Sequence, residues 1–294
     1  NTFIATAWGA TLCGAKPVFV DCHPLSYNID PSKVEAAITK KTKAIVAVHL
    51  YGQASDMDAL DVIANKHNLI LVEDAAQAHL AEYKGKRIGG LSKATSFSFY
   101  PGKNLGAYGE AGAVVTNDEQ LAKLVTQLRE HGQSEKYYHE SFGHNYRMEG
   151  IQGAVLGVKL KHLESWTEGR RRVAAKYEAL LGNLEHISLP EELPNHKHVY
   201  HLYVIRVNGK NLEAREETRN KLQSFLTENE IASGLHYPVP LHLQKCFTHL
   251  DYKKGDFPVT EDLAQTGLSL PMFPELKDEQ IEYVASKIKE FFQK

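Results

Sequence analysis

Lys103, Asp74 and Gln77 have the residue types and spacing that amine chemistry needs. Lys103 lies in Ser98-Phe-Tyr-Pro-Gly-Lys-Asn104, directly after the β-rich run at 94–100 (ATSFSFY). A free lysine amine has a pKa of about 10.4 and is a poor nucleophile at neutral pH. In a partly desolvated cleft, near other cations, it loses its proton and can form a Schiff base. Pro101 and Gly102 set a turn that could aim the side chain inward; the alternative is an exposed loop lysine. Asp74 follows the apolar run at 68–73 (NLILVE). An aspartate ending a buried parallel strand sits where ligands collect, yet it could equally cap a helix beginning at Ala75. Gln77, three residues on, could complete a capping box or reach the same pocket.

Other chemistries find no support. No G-x-G-x-x-G follows the first strand, and no Walker lysine precedes a Ser or Thr, so Gly106, Gly109 and Gly112 read as tight-turn glycines. There are 15 histidines, but His236, His242 and His249 show no metal-ligand spacing, and no metal is expected. The G-x-S-x-G nucleophile elbow is absent. Arg170, Arg171 and Arg172 read most simply as a solvated helix face.

The elements that must position these residues alternate. Short apolar runs at 17–21, 43–48, 68–73, 94–100 and 113–116 suit strands buried on both faces. Between them, 56–67 and 118–130 carry the 3-and-4 apolar spacing of amphipathic helices: Met57, Leu60, Ile63 and Ala64 in one, Leu121, Leu124, Val125 and Leu128 in the other. That alternation predicts an α/β fold with a mostly parallel sheet. A helical pattern from 149 to about 181 is long enough to span a domain junction. Beyond it, a strand at 199–207, a charged helix at 212–229, a strand-like 231–236, a Pro-rich loop and a last helix at 278–292 predict a smaller α+β unit. The division expected is 1–163 and 164–294.

The 294 residues allow one large domain or two moderate ones, with a core that needs no disulfide staples. A net charge of −2 leaves no electrostatic footprint for nucleic acid or an anionic membrane. No run approaches the ~20 apolar residues of a membrane span. The three cysteines, Cys13, Cys22 and Cys246, form no CxxC, which argues against a disulfide framework and a zinc site and favours a reducing cytoplasm. No basic segment followed by an apolar one opens the chain, so no signal peptide is expected.

Taken in order, the motifs resemble one family along the whole chain. TFIATA from Thr2, GAKPVFVD from Gly14, VHLYGQ from Val48, EDAAQAH from Glu73, SFSFYPGKNLGAYGEAG from Ser96, NYRMEGIQGA from Asn145, HYPVPLHLQ from His236 and the late LSLPMFPEL are similar to the DegT/DnrJ/StrS-type sugar aminotransferases. These are pyridoxal-phosphate (PLP) enzymes of aspartate aminotransferase fold type I. The resemblance implies a three-layer PLP-binding domain plus the smaller C-terminal domain.

It also implies roles. Lys103 matches the Schiff-base lysine, Asp74 the carboxylate that keeps the pyridine nitrogen protonated, and Gln77 the contact to the pyridoxal hydroxyl. Phe3 matches the aromatic that stacks on the ring, and Ser98 a phosphate-binding hydroxyl. Asn145 matches a residue reaching the phosphate from the neighbouring subunit, which implies a homodimer with shared active sites. Within the family, SFYPGKN with HYPVPLHLQ looks most like enzymes that aminate C3 of a nucleotide-linked 3-keto-6-deoxyhexose, with glutamate as donor. Tyr100, His236 and Tyr237 would then line the sugar-nucleotide pocket. Enzymes aminating C4 share the scaffold, as do PLP-dependent sugar dehydratases, in which a histidine replaces the lysine kept here as Lys103. A regulatory protein on this scaffold is a further alternative; the near-neutral charge, the absence of a helix-turn-helix pattern and Lys103 weigh against it.

There are two departures from the family pattern. Leu80 stands where the family usually has a glycine, a residue suited to a tight backbone position. The family also carries a leading helix and a Gly-Thr/Ser phosphate loop before the position of Asn1, so the resemblance implies an enzyme longer than this chain by several tens of residues.

Overall fold

The computed structural model describes residues 1–293. Its main sheet has four strands in the order Ala44–Val48, Ile70–Asp74, Ala94–Ser98 and Gly112–Val115. The first two pairings are parallel and the last is antiparallel, so the expected mixed α/β fold with a mostly parallel sheet is what forms. The register sets Val48 beside Asp74 and Asp74 beside Ser96. Three strand ends, and the loops that leave them, therefore meet on one rim.

The helix Met57–Lys66 buries Met57, Leu60 and Ala64 against Ile45, Ala47 and Leu71. Asp56 caps it by accepting from Ala59 N. Coverage of the sheet is less complete than the apolar runs suggest. Ile45 and Ala47 are buried, but Val46 and Val114 are exposed, so burial alternates instead of filling both faces. The helix Glu119–Arg129 likewise forms where expected but buries none of its apolar stripe among the described residues.

The second unit is built on the antiparallel sheet Gly267–Leu270, Tyr203–Val207 and Ile187–Ser188. The helices Leu163–Leu181, Leu212–Glu228 and Asp278–Gln293 supply its core through Val173, Tyr177, Leu222, Leu226, Ile281 and Ile288. The long helical run expected from 149 is two helices, Gly150–Lys159 and Leu163–Leu181, joined by a 3-10 turn at Leu160–His162. Tightened turns of this kind often mark a hinge.

Several expectations fail for reasons of pairing. Residues 17–21 are not a strand: the one β-type bond that reaches them, from Asp30 N to Asp21 O at 3.2 Å, belongs to an isolated bridge between Cys22 and Ile29. Pro17 has no N–H to give, and Phe19 N donates to the Tyr252 hydroxyl at 3.3 Å while its ring packs on Phe247 and Tyr252. An apolar cavity of about 820 Å³ separates this segment from the free edge of Ala44–Val48. The strand expected at 199–207 begins only at Tyr203, because Val199 N and His201 N donate to the carbonyls of Gly52 and Tyr51. At 231–236 only an isolated bridge forms, between Gly234 and Ser269.

Arg170 corrects the reading of its cluster as a solvated face. It is buried, and its guanidinium donates to the carbonyls of Tyr200, His201 and Met272. Burial pushes its pKa down to about 10, so it stays charged at neutral pH. Arg170→Met is expected to lower stability by about 3 kcal/mol, since hydrogen bonds to a charged donor are among the strongest in a fold. Urea unfolding measures this; a loss below about 1 kcal/mol would mean that the three carbonyls find other partners.

Candidate active site

The loop after Ala94–Ser98 closes on itself and carries Lys103 at its turn. Lys103 N donates to Tyr100 O at 2.8 Å, and Ala107 N to Phe99 O at 2.7 Å. Gly106 permits this closure: a Cβ there would stand 2.3 Å from the Pro101 carbonyl oxygen. Asn104 ties the loop to the second unit, donating to Val199 O at 3.2 Å and accepting from His201 Nδ1 at 3.2 Å. Lys103 is thus a partly buried side chain on a braced turn, and its amine has no hydrogen-bond or ion-pair partner among the described residues. Burial lowers its pKa, and the Asp74 carboxylate partly opposes that shift.

Asp74 ends its strand as expected, but no helix follows. Residues 75–80 are turns, and Asp74 Oδ1 accepts from Ala76 N at 3.1 Å. Its other oxygen accepts from the Thr6 hydroxyl at 2.7 Å. That bond docks the helix Ala5–Thr11 against the rim and brings Phe3, just before it, alongside Tyr237 at 5.8 Å between ring centroids. The Phe3 ring is 52% exposed. The Gln77 amide is divided: Oε1 accepts from Tyr51 N at 2.6 Å and Nε2 donates to the Tyr237 hydroxyl at 2.9 Å. His236 Nδ1 lies 2.8 Å from Ser269 Oγ.

The structure therefore gathers Phe3, Asp74, Gln77, Lys103, His236 and Tyr237. Ser98 and Tyr100 lie on the approach to the Lys103 turn, with Ser98 Oγ accepting from Tyr100 N at 3.2 Å. Asn145 is apart: it is exposed, on an arm fastened by a bridge to Glu130. Leu80 adopts φ +66°, in the left-handed region that favours glycine, so the position has the tight geometry expected of it. No group of three His, Cys, Asp or Glu that could hold a metal ion is found among the described residues.

Sequence reading missed three neutral histidines around Lys103. Burial, and then the Lys103 charge, pushes the pKa of His79 down to about 4, with the same two causes lowering His201 and His236. Isolated histidines in the sequence carry no signal of this, because burial is set by the whole fold. His79 and His198, the latter held down to about 3 by burial and then by Arg171, have a consequence for stability. Both are neutral in the fold and free to protonate near 6.5 in the unfolded chain. Their contribution is complete above that value and is lost as pH falls, by roughly 3 kcal/mol each near pH 4. His198→Gln is expected to flatten the fall in urea-unfolding stability between pH 6.5 and 4.5; an unchanged slope would contradict this.

Comparison with known proteins decides the class. Residues 1–289 match the DegT/DnrJ/EryC1/StrS aminotransferase family. The chain belongs to that family. It is 43% identical to the dTDP-3-amino-3,4,6-trideoxy-alpha-D-glucose transaminase of Streptomyces venezuelae, over 99% of this chain and 74% of that one. It is 50% identical to the pleiotropic regulatory protein of Geobacillus stearothermophilus, over 99% of this chain and 76% of that one. The crystal structure of S. venezuelae DesV in complex with a ketimine intermediate superposes with a TM-score of 0.95 at 42% identity, covering 100% of this chain and 77% of DesV.

As a member of the DegT/DnrJ/EryC1/StrS aminotransferases, the protein is a transaminase with PLP as its cofactor. The site has the donor set for that group. It offers an unpartnered amine whose pKa is lowered, a carboxylate with lone pairs to spare, an amide N–H beyond the one Tyr237 takes and a half-exposed aromatic ring. No helix among the described residues is long and apolar enough to cross a membrane.

Proposed function

We propose that the protein transfers the amino group of glutamate to C3 of a nucleotide-linked 3-keto-6-deoxyhexose, a dTDP sugar by likeness to the S. venezuelae transaminase, giving a 3-amino-3,6-dideoxy sugar nucleotide. The observation that carries the reading is the unpartnered Lys103 amine in a site with Asp74. When bound, PLP supplies the electron sink for a carbanion at the amino donor. Lys103 Nζ would hold the cofactor covalently and, once released, take the proton from the donor's α-carbon and later return it, as general base and then general acid. Its lowered pKa leaves more of the amine free to do so. Asp74 would keep the proton on the ring nitrogen. Gln77 Nε2 would donate to the phenolic oxygen, Ser98 to the phosphate, and Phe3 would stack on the ring. Tyr100, His236 and Tyr237 would line the sugar-nucleotide pocket.

In this reading the working unit is a homodimer, and Asn145 of the partner subunit reaches the phosphate. Supporting this, the arm that bears Asn145 leaves Tyr137, Tyr138, Phe142 and Tyr146 exposed, and the apolar stripe of Glu119–Arg129 is not buried. Apolar patches of this kind mark association surfaces. Sedimentation should give a dimer at micromolar concentration. The three free cysteines suit a reducing cytoplasm.

A panel of dTDP- and UDP-linked 3-keto and 4-keto sugars, followed by NMR of the products, tests the substrate. Amination at C4 alone would replace the C3 reading. The name of the Geobacillus relative favours a second reading, a regulator on the same scaffold. Stoichiometric borohydride trapping of PLP with turnover supports the enzyme; a protein that stays colourless with PLP supports the regulator.

A further inference from the structure

Tyr51 faces the site from four directions. It follows Ala44–Val48 in a turn at Leu50–Gly52, where it adopts φ +58° although it is a bulky, buried residue. Such a conformation is unfavourable for a side chain of this size and persists only where its surroundings impose it. Its N–H donates to Gln77 Oε1 at 2.6 Å. Its carbonyl accepts from His201 N at 2.8 Å, which seats the segment leading to Tyr203–Val207. Its hydroxyl donates to the His236 carbonyl and accepts from Asn1 Nδ2 at 3.1 Å. Its ring meets Tyr27 edge-on at 6.4 Å.

The hydroxyl closes a circuit. Gln77 Nε2 donates to the hydroxyl of Tyr237, the residue after His236. Gln77 and the 236–237 segment are thus joined twice, once through the Tyr237 hydroxyl and once through Tyr51 to the His236 carbonyl. We infer that Tyr51 is the positioning residue that holds His236 and Tyr237 against Gln77, and so sets the sugar-nucleotide side of the site against the cofactor side. The roles on the two sides rest on the function proposed above; the mechanical link does not. Burial keeps the Tyr51 pKa well above that of a free tyrosine, so the hydroxyl remains a donor across the working pH range.

Tyr51→Phe removes the two hydroxyl bonds, to the His236 carbonyl and from Asn1 Nδ2, and leaves the ring and the main-chain links in place. In hydrogen–deuterium exchange of the free protein, amides at 233–241 should exchange at least tenfold faster, while those at 70–78 stay within twofold. By calorimetry, dTDP-glucose or UDP-N-acetylglucosamine should bind about tenfold more weakly. The glutamate half-reaction, read from cofactor absorbance, should stay within threefold. Incorporating 4-aminophenylalanine at position 51 restores a donor and should restore both exchange protection and binding. Unchanged exchange at 233–241, equal slowing of both half-reactions, or failure of the amino variant to rescue would overturn the inference. If the wild-type protein binds neither nucleotide sugar, the sugar-nucleotide reading fails, and the exchange measurement alone decides the role of Tyr51.

Discussion

Lys103→Ala is expected to abolish covalent retention of PLP and to lower transamination by about 10⁴-fold, the upper end of what a positioned acid–base group supplies. The size follows from the site. Lys103 is the one amine on the braced turn at 99–107, and the Asp74 carboxylate is the group whose charge it feels most. Removing the side chain should leave the fold intact, because the turn is held by main-chain bonds at Lys103 N and Ala107 N. Circular dichroism should therefore be unchanged, while borohydride no longer fixes cofactor to the protein. A variant that still transaminates within tenfold of wild type would refute the assignment of Lys103.

Asp74→Asn should have the next largest effect, about 10²–10³-fold in turnover, the usual loss when one preorganised electrostatic partner is removed. The substitution keeps the shape. An asparagine oxygen can still accept from Ala76 N, and its NH₂ group can donate to the Thr6 hydroxyl in place of accepting from it. The negative charge is lost, and with it the means of holding a proton on a ring nitrogen. Cofactor absorbance should accordingly titrate at lower pH than in the wild type. A loss below tenfold, with an unshifted titration, would mean that Asp74 only shapes the rim.

The two predictions differ in how far they could be read from the chain. Lys103 and Asp74 lie in contiguous stretches, SFYPGKN and LILVED, whose local chemistry makes a turn after one strand and a carboxylate at the end of another. Parallel pairing then sets Asp74 beside Ser96, two residues short of Ser98 at the end of the next strand. Asp74 was also legible as a helix cap, and that reading failed. Residues 75–80 form turns whose amides pair locally and with Ser96, leaving no helix to cap.

Where the outcome depended on partners far along the chain, the sequence was silent or misleading. Residues 17–21 have strand composition, yet only Asp21 takes part in a β-type bond, at an isolated bridge. Residues 199–202 have it too, yet Val199, His201 and Leu202 give their amides to the Gly52 and Tyr51 carbonyls, and Tyr200 gives its own to His198 Nδ1. Arg170 has the composition of a surface charge and is buried among three carbonyls.

The sequence carries the chemical groups, an amine on a Pro-Gly turn and a carboxylate at a strand end, and the ordered motifs that mark the family. Tertiary structure decided how those groups are held. Only the fold could lower the Lys103 pKa by burial, gather His79, His201 and His236 as neutral neighbours, and route Tyr51 between Gln77 and His236. The physical reason is range. Turn and strand preferences act over a few residues, whereas desolvation and long-range hydrogen bonds exist only once distant segments have packed together.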